Sequence, residues 1–333
     1  MDYELLVIGE ERDGIEQAIS YARDGYRVAV VKSPEPIPQM DVMREAVDNS
    51  MGRKRLTMDS WKAEISRLHH SRLLAEKNEL ESAGVEQICG QARFVSPTTV
   101  EIQDKGERRI VSSSQTVLAC GTRSWLPVSL QGDNRLIGGV ELLLGLKDIP
   151  RSTIVVGGGE SGLSAAILLA TLGVEVSVVD EHVTLLELCG LFEARFDAAQ
   201  SLDIAFRLDD EVIGTEIRPD LQAAARLSSG RILVADIVLV CVGKEGRTEG
   251  LNLEAAGVGV DERGRVWCDA EGQTWAPQIS AVGDVIGFPH TAVSRPLQAT
   301  SAPNWVRKPK VAIRGEFGRR ELRDAELVCR QTP

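Results

Sequence analysis

One stretch of this chain is written twice. Leu5–Lys32 (LLVIGEERDGIEQAISYARDGYRVAVVK) and Thr153–Asp180 (TIVVGGGESGLSAAILLATLGVEVSVVD) align without a gap at a constant offset. Val7 falls on Val155, Gly9 on Gly157, Gly14 on Gly162, Ala18 on Ala166 and Gly25 on Gly173. Val28, Val30 and Val31 fall on Val176, Val178 and Val179. Each copy passes from a short apolar strand through a glycine turn into an Ala-rich amphipathic helix, then out into a β-branched strand. That is a βαβ unit used twice. The fold class follows: α/β, with two Rossmann-like, doubly wound sheets.

The second copy carries a complete G-x-G-x-x-G as Gly157, Gly159 and Gly162, between strand and helix. Gly157 permits the tight turn, Gly159 lets the backbone approach a pyrophosphate, and Gly162 lets the helix pack close to the strand. The helix N-terminus offers free N–H groups and a positive dipole end to the phosphates. Asp180 ends the second strand, where a carboxylate binds a ribose 2′-OH. An acid there favours NAD(H) over NADP(H), because it repels a 2′-phosphate. Glu181 follows, and the nearest neighbour able to carry a cation is His182, mostly neutral at pH 7.

The first copy keeps Gly9 and Gly14, so its turn and its helix packing are expected to survive. It departs where a ligand would touch. Glu11 replaces the middle glycine and Lys32 replaces the ribose acid. A carboxylate ~4 Å from a phosphate charge costs at most about 4 kcal/mol at an effective dielectric near 20, and the Glu11 Cβ crowds an approach that glycine leaves open. The fold is expected here, and the ligand weakened.

Elsewhere, Thr57 to Ser82 reads as a long helix ending near Gly84. VEQICGQARFVSPTTVEIQ and ERRIVSSSQTVLACGT read as strands of a β-meander, Ile204 to Val242 as further strands with turns at RPD and SSG, and ISAVGDV as an apolar strand ending in Gly-Asp. The 333 residues leave room for two cores. A net charge of −11 argues against nucleic acid as a partner. No apolar run reaches membrane-spanning length, and the start lacks a signal-peptide pattern, so a cytoplasmic location with no membrane partner is the default expectation. The six cysteines (Cys89, Cys120, Cys189, Cys241, Cys268 and Cys329) make no CxxC pair, so neither a metal knuckle nor a redox dithiol is expected. Cys120 and Cys241 end apolar runs and read as buried thiols. His69 and His70 lie on a charged helical stretch and read as a solvated face.

Several segments together resemble the pyridine nucleotide–disulfide oxidoreductases, and within them the soluble pyridine nucleotide transhydrogenases. They are REAVDNS after IPQMDVM, ARFVSPTTVEI, ACGTR at Ala119–Arg123, IPRSTIVVGGGESG, VGKEGRTEGLNLE at Val242–Glu254, and AVGDVIGFP at Ala281–Pro289. The resemblance implies that the first unit binds the ADP half of FAD and the second a nicotinamide cofactor. It implies hydride exchange between NADPH and NAD through FAD, the flavin supplying the chemistry. Gly121 stands in the family's glycine turn. Gly283 and Asp284 stand in its late flavin motif, where the Asp bonds the ribityl chain; an Asp after a strand also serves as a simple cap.

The resemblance also sets a domain plan: a FAD-type domain over 1–149, an NAD(P) domain inserted over 150–245, a return to the first over 246–303, and a basic tail over 304–333. The chain departs from the family in places. After Lys32, SPEPIP runs almost directly into the next helix. A family lysine falls at Met40 and a family acid at Ser164, both near the flavin in relatives. Past Asp284 the expected helix and the dimerisation domain of about a hundred residues are not recognisable. These departures lead to three expectations. The first unit holds little or no FAD; NAD(H) binds the second; and the face left by the missing domain takes a protein partner or self-associates. No residue is assigned a catalytic role. Besides the flavoenzyme, two readings stay open: a flavin-free NAD(H)-binding sensor or interaction protein, and an inactive paralogue.

Overall fold

The computed structural model describes residues 1–34, 40–49, 57–130, 132–182 and 201–287. The expected basic tail, Cys189 and Cys329 lie outside these residues.

In chain order, the first part contains β1 (Tyr3–Gly9), α1 (Arg12–Arg23), β2 (Val28–Lys32), α2 (Met40–Asp48), α3 (Met58–Ala83), β3 (Glu86–Cys89), β4 (Gln91–Ser96), β5 (Thr99–Asp104), β6 (Glu107–Ala119) and β7 (Thr122–Ser124). The second part contains β8 (Ile137–Gly138), α4 (Leu142–Gly145), β9 (Ser152–Val156), α5 (Glu160–Thr171), β10 (Glu175–Val179) and β11 (Ala205–Arg207). It continues with β12 (Val212–Ile217), β13 (Ala223–Leu227), β14 (Ile232–Ala235) and β15 (Ile237–Val240). The chain then returns through β16 (Lys244–Gly246), which pairs with β7, and β17 (Ile279–Ala281), which pairs with β6.

The first sheet has the order β3-β2-β1-β6-β5-β4, with β17 on β6. The thirteen-residue β6 works in two halves. Its start runs antiparallel to β5, and its end runs parallel to β1 and β17. Side chains alternate along β1 because a strand has a period of two. Leu5 and Val7 pack under α1 with Ile15, Ala18 and Leu80. Leu6 and Ile8 pack on the opposite face with Phe94, Val100 and Ile102. With both faces covered, β1 reads apolar from Leu5 to Ile8, as parallel strands do.

The second sheet is all parallel, in the order β11-β10-β9-β15-β8, and repeats this arrangement. Val155 faces α5, while Ile154 and Val156 face β12 and β13 through Val212, Ala223 and Ala225.

Two expectations change. β3 is not part of the meander; it lies parallel to β2 as an extension of the main sheet, since the long α3 returns the chain to that edge. ISAVGDV is a strand only to Ala281, and residues 283–285 form a 3-10 turn, with Gly283 at φ 74°.

The expected helix between Thr57 and Gly84 is present as α3. Thr57 and Ser60 exchange side-chain and backbone bonds in a capping box, and Gly84 closes it in the left-handed conformation. Trp61 on α3 is fully buried, and its indole N–H donates to the Met43 carbonyl at 3.1 Å. This half of α3, with α2, shares one apolar cluster with Ala165, Ala166 and Leu169 of α5, which fixes the two βαβ units against each other.

Candidate dinucleotide cleft

The C-terminal ends of the parallel strands of both sheets face one cleft of about 1050 Å³, the position where open α/β sheets bind ligands. Its lining runs from Gly9, Glu10 and Glu11 past Gly121 and Gly283 to Glu160, Ser161 and Ser164 at the start of α5.

Each glycine turn is built by a close approach between strands. Gly9 has φ 116° and Gly157 has φ 93°. A Cβ on Gly9 would overlap the Ala119 carbonyl, and one on Gly157 would lie 2.6 Å from the Cys241 carbonyl oxygen. Gly14 and Gly162 are equally committed: a Cβ would overlap Ala119 or the Gly157 carbonyl. These four glycines serve the fold in both units.

The units part company at the middle glycine. Gly159 caps α5 and has, among the described residues, no atom within 4 Å of where a Cβ would stand. Next to it, the Asp180 carboxylate reaches back over the loop. One oxygen accepts the Gly158 N–H, and the other accepts the His182 N–H at 3.0 Å and contacts the His182 ring. The Asp180 side chain is 8% exposed, so the acid is held in place at the mouth of the loop.

In the first unit the carboxylate of Glu11 points into the cleft floor. Its Oε2 accepts the Asp284 N–H at 2.8 Å, and its Oε1 stands 2.8 Å from where a Cβ on Gly121 would be. A Cβ on Gly283 would overlap Oε2. Burial pushes the Glu11 carboxyl up to about 7. The charges of Asp284 and Asp13 add to the shift, while the Asp284 N–H and Lys244 oppose it. Asp284 itself is paired with Lys244 at 2.6 Å. At the end of β2, Lys32 is paired with Glu76 of α3 at 2.6 Å, with side chains only 13% and 18% exposed. Glu10 bridges to the same strand end by accepting the Ser33 N–H at 2.8 Å, and burial raises its carboxyl.

Of the nine residues singled out from the sequence, Gly9, Gly121, Gly283 and Asp284 line this cleft, Gly157, Gly159 and Asp180 sit at the strand-end loop of the second unit beside it, and Gly14 and Gly162 sit in the first turns of α1 and α5. Sequence reasoning missed Glu10 as a bridge and Lys244 as the partner of Asp284. It also missed Arg207, whose carbonyl accepts the Asp180 N–H and whose Nε is buried without a hydrogen-bond partner among the described residues. Cys120 and Cys241 line the cleft, but burial pushes both thiols up to about 12. Neither is a thiolate at neutral pH. No helix of the described residues is long and apolar enough to cross a membrane.

Two Rossmann-type sheets meeting at one cleft define an α/β protein built from two βαβ units. The family of pyridine nucleotide-disulphide oxidoreductases matches residues 3–304, and the chain belongs to it. A soluble pyridine nucleotide transhydrogenase of Mycobacterium tuberculosis (strain ATCC 25177 / H37Ra) is 31% identical over 320 residues, covering 88% of this chain and 68% of its own. A dihydrolipoamide dehydrogenase of Chaetomium thermophilum is 32% identical over 236 residues, covering 68% and 46%. Among solved structures, the HOCl-induced flavoprotein disulfide reductase RclA from Escherichia coli superposes with a TM-score of 0.73 at 20% identity, covering 85% and 66%. The match thus spans about two thirds of the length of the transhydrogenase and of the reductase, and less than half of the dihydrolipoamide dehydrogenase.

Proposed function

We propose that this chain is a nicotinamide-nucleotide-binding member of its family that takes NAD(H) at the second βαβ unit. The observation that carries the reading is the space above Gly159, open among the described residues, beside an acid fixed at the loop mouth. In this reading the pyrophosphate lies over Gly157–Gly162 at the α5 N-terminus, and Asp180 accepts from the adenosine ribose.

The residues of the first unit do not fit FAD in the arrangement described. Glu11 stands between Gly121 and Gly283, where the resemblance puts the flavin, and Lys32 is committed to Glu76. No step through a flavin is therefore derived. The observations favour NAD(H) binding without flavin over the hydride exchange for which the transhydrogenase relatives are named. That exchange stays as the second reading, supported by the continuous cleft between the units and by the relatives' names.

Calorimetric titration of the whole chain with NADH and NADPH, together with a visible spectrum, tests this. The expected result is NADH binding at least about tenfold tighter than NADPH, a difference of about 1.4 kcal/mol, with the preference lost in Asp180→Ala. Equal affinities in the wild type would remove the role given to Asp180. One equivalent of flavin in the spectrum would restore the second reading.

A further inference from the structure

The first unit does more than lack a glycine at position 11. The Glu11 carboxylate sits in a slot formed from three directions: its own loop after β1, Gly121 after β6, and Gly283 after β17. Gly121 and Gly283 both have positive φ, at 67° and 74°. The carboxylate fills the space their missing side chains leave. One of its oxygens takes up the Asp284 N–H, on the turn that opens at the end of β17. A phosphate is the larger relative of a carboxylate in this respect: an anionic oxygen cluster seeking backbone N–H donors between glycines. The equivalent position of the second unit, Gly159, has no neighbour among the described residues where a Cβ would stand.

Charges of both signs face Glu11. Asp13 faces it from α1, Asp284 from the 3-10 turn, Lys244 from β16 and Cys120 from the end of β6. Lys244 balances Asp284 through their ion pair, leaving Glu11 to the backbone donor. The far end of the unit is closed in a comparable way, because Glu10 takes the Ser33 N–H and Lys32 turns to Glu76.

We propose that Glu11 is an internal occupant of the first unit's glycine-lined slot, its carboxyl group taking both the space and the hydrogen bond that a dinucleotide phosphate would take, so that this unit holds no dinucleotide. The proposal concerns the unit that the NAD(H) reading does not use, and the two can fail separately.

The test is FAD binding by the full chain, followed by flavin fluorescence with excess NAD⁺ present, alongside thermal melts without ligand. Wild-type protein is expected to bind no stoichiometric FAD. Glu11→Gly opens the slot: FAD affinity rises at least tenfold, the ligand-free melting temperature falls, and FAD restores part of that fall. The gain stays partial because Lys32 still stands at the ribose end. Glu11→Gln keeps the volume and an acceptor oxygen, so it is expected to melt close to wild type and to keep FAD out. It also decides the matter should Glu11→Gly not fold. Three results would each overturn the proposal: one equivalent of FAD in the wild type, a Glu11→Gly protein unchanged in both affinity and melting temperature, or stoichiometric FAD uptake by Glu11→Gln.

Discussion

The two βαβ units of this chain are built alike and furnished in opposite ways. Both tie the glycine loop to the end of the second strand through a carboxylate. In the second unit the acid is on the strand, and Asp180 accepts from the loop N–H of Gly158. In the first it is on the loop, and Glu10 accepts from the strand-end N–H of Ser33. The tie is preserved while donor and acceptor change sides. What this separates is two sets of demands on the same motif. Gly9 with Gly157, and Gly14 with Gly162, answer to strand and helix packing and are retained in both units. Position 11 against 159, and 32 against 180, answer to what lies outside the loop, and there the units diverge.

The largest effect expected from this division comes from Gly9→Ala and Gly157→Ala. Each forces a Cβ into a neighbouring strand at a positive φ, and each should cost about 3 kcal/mol or more. Urea melts of both proteins would measure it. If one substitution were tolerated and the other not, the claim that the two turns serve the fold equally would break.

Next in size is the mostly buried pair at the end of β2. Lys32→Ala leaves the Glu76 carboxylate without its partner, with an expected loss on the order of 3 kcal/mol. The double variant Lys32→Ala, Glu76→Ala should recover much of it, since replacing both charges removes the stranded one. A double variant no better than the single would show that Lys32 contributes by packing and not by charge.

The smallest effect sharpens the comparison through pH. Burial holds the folded Glu11 carboxyl near 7 against 4.5 ordinarily, so the folded chain binds this proton more tightly than the unfolded one. Its contribution is complete below about 4.5 and is lost as pH rises through 7. Glu10, also raised by burial, acts in the same sense. After solvent screening the Glu11 share is on the order of 1 kcal/mol. Denaturation curves between pH 5 and 8 should show wild type losing stability relative to Glu11→Gln as pH rises; parallel curves would remove the group from the account.

Much of this was legible in the sequence because it is local. Two copies of one pattern place both sheets, and Thr57 with Gly84 brackets α3 before any contact is known. What was hidden depends on partners far away along the chain. Nothing near Glu11 says that its carboxylate meets an N–H 273 positions on, and without that the residue reads only as a repulsive one. β3 was misread as meander because its four residues suit either pairing and α3 decides which edge they reach. The partnership of Arg207 with the end of β10 was hidden for the same reason, since strand adjacency across a connection is set by the sheet.

The apolar cluster that joins α2 and the first half of α3 to α5 has a bearing on motion. It contains Met43, Trp61 and Ile65 from one side and Ala165, Leu168 and Leu169 from the other, so the halves of the molecule share an interior and not merely a boundary. A hinge between them would have to pull that interior apart and wet it. The width of the cleft is accordingly set by packing. The same sharing couples the unfolding of one half to that of the other.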